Sequence, residues 1–575
     1  MARTTRTCKP AVPQGLSPLA GLLRVAVCLP VLAVSCALPA DFLQEDEPSA
    51  YGAFLAARYA GSSRDTVDSS RLYAEALSYE PGSELLSERA FYSALLAGEF
   101  DRADEPARLA GDHPDGLQLA HIYLTGGELA GRMRGPSVEL EDPFGPFGAM
   151  VSSMLDDWRL VRAGRASEAA DRPVTASAGL TGHIMLHRGM ILEAAGRMDA
   201  ADEAYRAAYS GLDMEGFTTI VRGGFFERQG RRDDARRLYQ THLDRRSDER
   251  DPEVEEALAR LDADGPPPAR FTPAQGAARS MFAPAAMLNA SAPAEYAALY
   301  LRIVQSIDPG FHRNTMLLAT ILDRLGLEED AIAAFDAVDG GPLLEQARVD
   351  AAWTLFRRGE ETDALARARA LASDDLGEQP RLLLADIYRL TGHCGDAVAL
   401  YDTVIADRAA QSREPDWRHL FYRSICLQIA GDWAGAEEGF LQALVLEPDE
   451  PRVLNHLGYN WIVLGERVNE GFALVERAAE LAPENGAILD SLGWGHFKLG
   501  RYETAVEWLE RAVELSPANS TIHWHLGDAY ARMGRTLEAG FQWERALDLT
   551  ADPREEALLE ARLESGIEDA PEDIE

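Results

Sequence analysis

Apolar positions recur along most of this chain at helical rather than alternating spacing, and there is little strand pattern anywhere. The pattern is clearest from Arg452 to Leu549, where three segments of about 34 residues repeat one another. Seven residues before Gly465, Gly500 and Gly534 stand Gly458, Gly493 and Gly527, each directly behind a leucine (Leu457, Leu492, Leu526). Downstream, Ala505 and Ala512 in one segment match Ala539 and Ala546 in the next, and Pro483 and Pro517 close their segments. The spacing predicts pairs of antiparallel helices. Small residues let the two helices of a pair approach closely, while Trp461, Trp508, Leu509 and Trp543 fill the space between pairs. The second glycine of each segment breaks the first helix and permits a tight turn. Proline stops the second helix, because it cannot continue the hydrogen-bond ladder.

A 34-residue period with Trp, Leu-Gly, Tyr, Ala, Phe, Ala and Pro at fixed offsets resembles the tetratricopeptide repeat (TPR) family. The resemblance implies an all-α fold, an α-solenoid of stacked helix pairs. Taken in order, residues 1–37 read as an export signal: Arg3, Arg6, Lys9 and Arg24 precede a short apolar core from Val25 to Val34. Two processing chemistries fit its end. Ser35-Cys36-Ala37 offers small residues to a signal peptidase, giving a soluble periplasmic protein. Ala33-Val34-Ser35-Cys36 resembles a bacterial lipobox, in which Cys36 would carry the lipid and anchor the chain to the outer membrane. Residues 38–48 read as a tether, and 49–244 as a first array of helix pairs with a weaker pattern between Gly111 and Glu168. The charged, proline-rich stretch 245–272 predicts a break or hinge. A second array follows over 273–549, opening with a degenerate unit from Ala274 to Asp308. Regular turns return at Gly326, Gly359, Gly392 and Gly431, and residues 550–575 predict a capping helix and an acidic tail.

Charge narrows the function classes. A formal net charge of −38 excludes a nucleic-acid binder, which needs a basic stripe. The cations are nearly all arginine, with Lys9 and Lys498 as the only lysines. No glycine-rich phosphate loop follows a strand, no catalytic constellation stands out, and no cofactor is implied. His523 and His525 are alternate residues of a helix, point roughly 200° apart and do not share a metal ion. Beyond Cys36 the chain has two cysteines, Cys394 and Cys426. Repeat geometry brings both to one edge of the stack, where they form a candidate disulfide in an oxidising compartment.

Binding is the expected activity. In TPR proteins the first helices line a concave wall, and ligand contacts come from fixed positions of each unit. Carried onto this chain, those positions are Arg418, Phe421, Asn455, Tyr459, Asp490, Trp494, Phe497, Lys498, Trp524, Asp528 and Arg532. As sole lysine of the exported chain, Lys498 leaves the two-carboxylate clamp of some TPR proteins unassembled in its usual form. Arginine-bearing partner surfaces suit the charge better. The runs Leu454–Trp461, Ala487–Trp494 and His525–Tyr530 are similar to exported TPR proteins of Gram-negative bacteria. One of these is an outer-membrane lipoprotein adaptor that delivers cell-wall hydrolases to a periplasmic carboxyl-terminal processing protease. The likeness is specific over about Arg418 to Leu549 and architectural upstream. It implies a non-enzymatic scaffold with protein partners, such a protease or cell-wall hydrolases among them, or else an assembly or secretion factor for outer-membrane components. Membrane contact is expected only through a lipid anchor.

Overall fold

The structure, a computed structural model, describes residues 49–111, 117–136, 145–173, 181–209, 215–245, 250–373, 377–465 and 467–567. The expected export signal, Cys36 and the tether lie outside these residues, as does the acidic tail beyond Ile567. Among the described residues there are 29 helices, from Ala50–Ser62 to Pro553–Ser565, and no strand. Helices pack on their successors along the chain, apart from Pro252–Asp262, which packs on the two helices before it, and together they form the expected all-α solenoid. Turns of a few residues force most neighbours to run antiparallel.

Local chemistry explains the turns. Gly500 and Gly534 sit at φ 72 and 75, the left-handed region that a side chain would oppose. A Cβ at Gly458 would fall 2.6 Å from the carbonyl oxygen of Gly471, so this contact between helices Pro451–Val463 and Val468–Leu481 admits only glycine. Polar residues just after the prolines cap the next helix: the Asn485 side chain accepts from the backbone N–H groups of Ala487 and Ile488, and Asn519 from that of Ile522.

In the C-terminal half, first helices of successive pairs touch one another. Leu344–Arg357 meets Glu378–Leu390, Pro451–Val463 meets Gly486–Lys498, and the latter meets Ser520–Arg532. Second helices make no comparable contact there. The coil is therefore tighter on the side of the first helices, and they form its inner wall.

The N-terminal half differs. Helices Pro273–Ser291 and Ala294–Ile307, expected to be a degenerate unit, pack across the array rather than only along it. The first touches helices Gln118–Leu129, Gly145–Arg162 and Thr181–Ala194, and the second touches Glu84–Leu96 and Gln118–Leu129. Trp158 donates its indole N–H to Ser280 Oγ at 2.9 Å, and the Arg302 side chain donates to the Leu96 carbonyl at 3.0 Å. Gly276 leaves the space that the Trp158 ring occupies. One apolar cluster consequently runs from Phe91 to Ala351. Helix Pro273–Ser291 carries a single charged residue, Arg279. A helix apolar on every side is a buried one, and that signal was readable in the sequence.

The stretch 245–272, expected to be a hinge, instead holds helix Pro252–Asp262, which packs on Arg232–Arg245. Beyond it Phe271 lies under the guanidinium groups of Arg228 and Arg279. The chain from Ala50 onward is a single unit. The step from Gly392 to Gly431 is longer than one period, and helix Cys394–Ala410, 17 residues long, takes up some of the extra length.

Candidate partner-binding groove

The inner wall of the C-terminal half is the candidate site, and the expected contact residues divide there by burial. Arg418, Lys498 and Arg532 are exposed, while Asn455, Tyr459 and Phe497 are half-buried. Phe421, Asp490, Trp494, Trp524 and Asp528 are buried, and the expectation that they stand open on the wall is corrected.

Their side chains tie one repeat to the next. Trp494, 1% exposed, lies between Phe497 and His525, with ring centroids 4.5 and 3.9 Å away and nearly parallel planes. Asp490 accepts from His525 Nδ1 at 2.9 Å, joining helices one repeat apart. Phe421 meets Phe440 in its own pair and His456 in the following helix. Asp528, also 1% exposed, accepts from the indole N–H groups of Trp524 at 3.1 Å and Trp543 at 2.8 Å. The Arg562 guanidinium, from the capping helix Pro553–Ser565, bonds the same carboxylate at 3.0 Å and lies 4.7 Å from the centre of the Trp524 ring. The capping helix, expected to cover an apolar face, therefore also seals a charged pair and two indoles. Desolvated Asp–Arg pairs hold when hydrogen bonds satisfy them, and here both indoles add donors.

The exposed portion of the wall was largely missed. Leu390 and Ile429 stand two residues before the turn glycines Gly392 and Gly431, at the same register as Lys498 and Arg532 before Gly500 and Gly534. They are 49% and 65% exposed, large apolar side chains left open near the ends of two first helices. Counting back from Gly392 and Gly431 would have found both. The register thus runs from apolar, at Leu390 and Ile429, to basic, at Lys498 and Arg532. Lys498 also lies 4.9 Å from the centre of the Trp494 ring, and Arg418 and Arg452 lie at that distance from Trp417.

The two histidines diverge. His523 Nδ1 meets Gln542 Oε1 and its Nε2 meets the Pro517 carbonyl, whereas His525 turns to Asp490. Among the described residues no group of three or more His, Cys, Asp or Glu is placed to hold a metal ion. Cys394 and Cys426 are buried as free thiols in one apolar cluster with Leu382, Ala385, Ala397, Tyr401 and Val404.

Repeat-family models agree with this architecture. Models of the tetratricopeptide repeat match residues 223–253 and 382–451, and a TPR repeat model matches 496–534. The TPR repeat-containing protein PA4667 of Pseudomonas aeruginosa is 33% identical over 94 residues, 16% of either chain. The match therefore spans about a sixth of that relative's length. Among solved structures, a tetratricopeptide repeat protein from Parabacteroides merdae is similar at 14% identity and a TM-score of 0.37, covering 44% of this chain and 97% of that one. A chain of the APC/C hetero-tetramer Cut9–Hcn1 is similar at 13% identity and a TM-score of 0.38, over 89% and 96%.

Proposed function

We infer, from a chain built of tetratricopeptide repeats, that its work is to hold other proteins: it is a non-enzymatic scaffold whose partner lies along the inner wall of the C-terminal half. The observation that carries this reading is the contrast between the two halves. In the N-terminal half the chain packs its own helices, Pro273–Ser291 and Ala294–Ile307, across the array, whereas Leu390 and Ile429 remain exposed on the C-terminal wall. Apolar side chains followed by Lys498 and Arg532 suit a partner segment with an apolar stretch, and the chain's −38 net charge favours partners whose remaining surface is basic.

As a finer proposal, the protein is exported to the periplasm, soluble or lipid-anchored at Cys36, and serves as an adaptor in envelope proteolysis or cell-wall maintenance. Affinity capture with the purified chain tests both levels. The Leu390→Asp, Ile429→Asp double variant should lose partner capture while its thermal unfolding stays close to that of the parent, because surface changes of this kind shift stability by about 0.5 kcal/mol or less. Capture unchanged in that variant sinks the groove assignment. If envelope extract yields neither a processing protease nor a wall hydrolase, the adaptor role is wrong even where the groove stands.

A further inference from the structure

We propose that Cys394 and Cys426 form an oxidisable pair whose disulfide staples two successive repeats. They are the only cysteines after residue 36, yet the fold brings them from different helix pairs into one sealed cluster. Cys394 is the first residue of helix Cys394–Ala410, directly after the Gly392 turn, and Cys426 lies in the last turn of helix Trp417–Ile429. Their residual exposures are 4% and 0%. Burial pushes the Cys426 thiol up to about 12, and the neighbouring sulfur of Cys394 adds to the rise. The rest of the cluster is mostly aliphatic, a setting in which two thiols gain little as donors but a disulfide packs as an apolar group.

The chemistry is thiol–disulfide exchange with a small-molecule or protein disulfide as oxidant. Once partial unfolding exposes it, Cys394 attacks as thiolate and forms a mixed disulfide, releasing one thiol of the oxidant. Cys426, deprotonated in the second step, displaces the other. One S–S bond forms in the protein, one breaks in the oxidant, and the two protons end on the oxidant's thiols. The bond would close a 33-residue loop of the unfolded chain and fix the spacing between the repeats that carry Leu390 and Ile429.

The test uses the full chain cycled through partial urea unfolding and refolding in oxidised glutathione, with a parallel sample in dithiothreitol. The expected result is an intact mass lower by two hydrogens, a linked peptide containing both cysteines, and no thiol alkylated after denaturation. The oxidised form should show a folded-to-unfolded ratio about 500-fold higher in urea than the reduced form, as loop closure of this length predicts. The Cys394→Ala, Cys426→Ala variant should lose all dependence on redox buffer. Two alkylatable thiols, or glutathione adducts without the linked peptide, would overturn the proposal. A linked peptide that leaves the unfolding ratio unchanged or lowers it would overturn the staple.

Discussion

Asp350 shows how a single side chain in this array sets a pH dependence. It lies within helix Leu344–Arg357 with its carboxyl pushed up to about 6, first by burial. A hydrogen bond from Gln346 Nε2 at 2.8 Å and the charge of Arg357 offset some of that rise, but Arg357 is held by Asp323 at 2.6 Å, and Asp323 itself repels. The folded state therefore holds this proton more tightly than the unfolded chain does. Stability falls as pH rises from the ordinary carboxylate range through the folded value, and the whole penalty stands above it. Asp350→Asn keeps an acceptor for Gln346 and removes the charge. It should stabilise the chain by about 2 kcal/mol near pH 7.5, with the gain shrinking by roughly half near pH 5. Thermal midpoints of variant and parent at both pH values check this, and a gain independent of pH would show that charge is not the cause. Residues of this kind are illegible in sequence. The pattern placed Asp350 on a helix, but its burial depends on which neighbour covers it.

At the scale of the element, the 34-residue period was legible over the C-terminal array, because turn glycines, small contact residues and proline stops are local requirements of backbone and packing. What failed was the division of the inner-wall positions into groove and joint. The positions of Trp494 and Asp528 face both the groove and the next first helix, and a large ring or a hydrogen-bonding carboxylate is drawn into the joint. Short-range spacing does not distinguish the two outcomes, since the partner lies one repeat away. The consequence is testable on the stack of Phe497, Trp494 and His525. Trp494→Ala should cost about 3–5 kcal/mol, the range for removing a buried aromatic side chain. Hydrogen exchange should then quicken across helices Gly486–Lys498 and Ser520–Arg532. Truncating the exposed Lys498 to Ala in parallel should leave exchange in both helices unchanged. Equal protection in Trp494→Ala would return that ring to the groove.

For the whole molecule, arginine is spent mainly on the chain itself. Arg231 reaches Asp202 at 2.7 Å, Arg357 reaches Asp323 at 2.6 Å, Arg367 reaches Asp336 at 2.8 Å and Arg477 reaches Asp449 at 3.1 Å, each pair about one repeat apart. Exposed pairs of this kind stabilise little, on the order of 0–1 kcal/mol each, so they set register more than stability. Stability in the N-terminal half rests instead on the helices that cross it. The cluster from Phe91 to Ala351 includes Ala277, Met281, Phe282, Leu301 and Ile303 from that crossing pair. A fragment of residues 50–272 lacks these side chains and exposes the apolar faces they cover, whereas 50–357 retains both. The shorter fragment should bind a hydrophobic dye and melt over a broad range or aggregate, while the longer one melts as a single transition. The C-terminal fragment 344–567 should keep its helicity alone, because each of its repeats leans only on its neighbours. Circular dichroism melts and dye fluorescence on the three fragments decide the matter. A sharp, dye-free melt of 50–272 would mean that the crossing helices rest on a finished array rather than complete it.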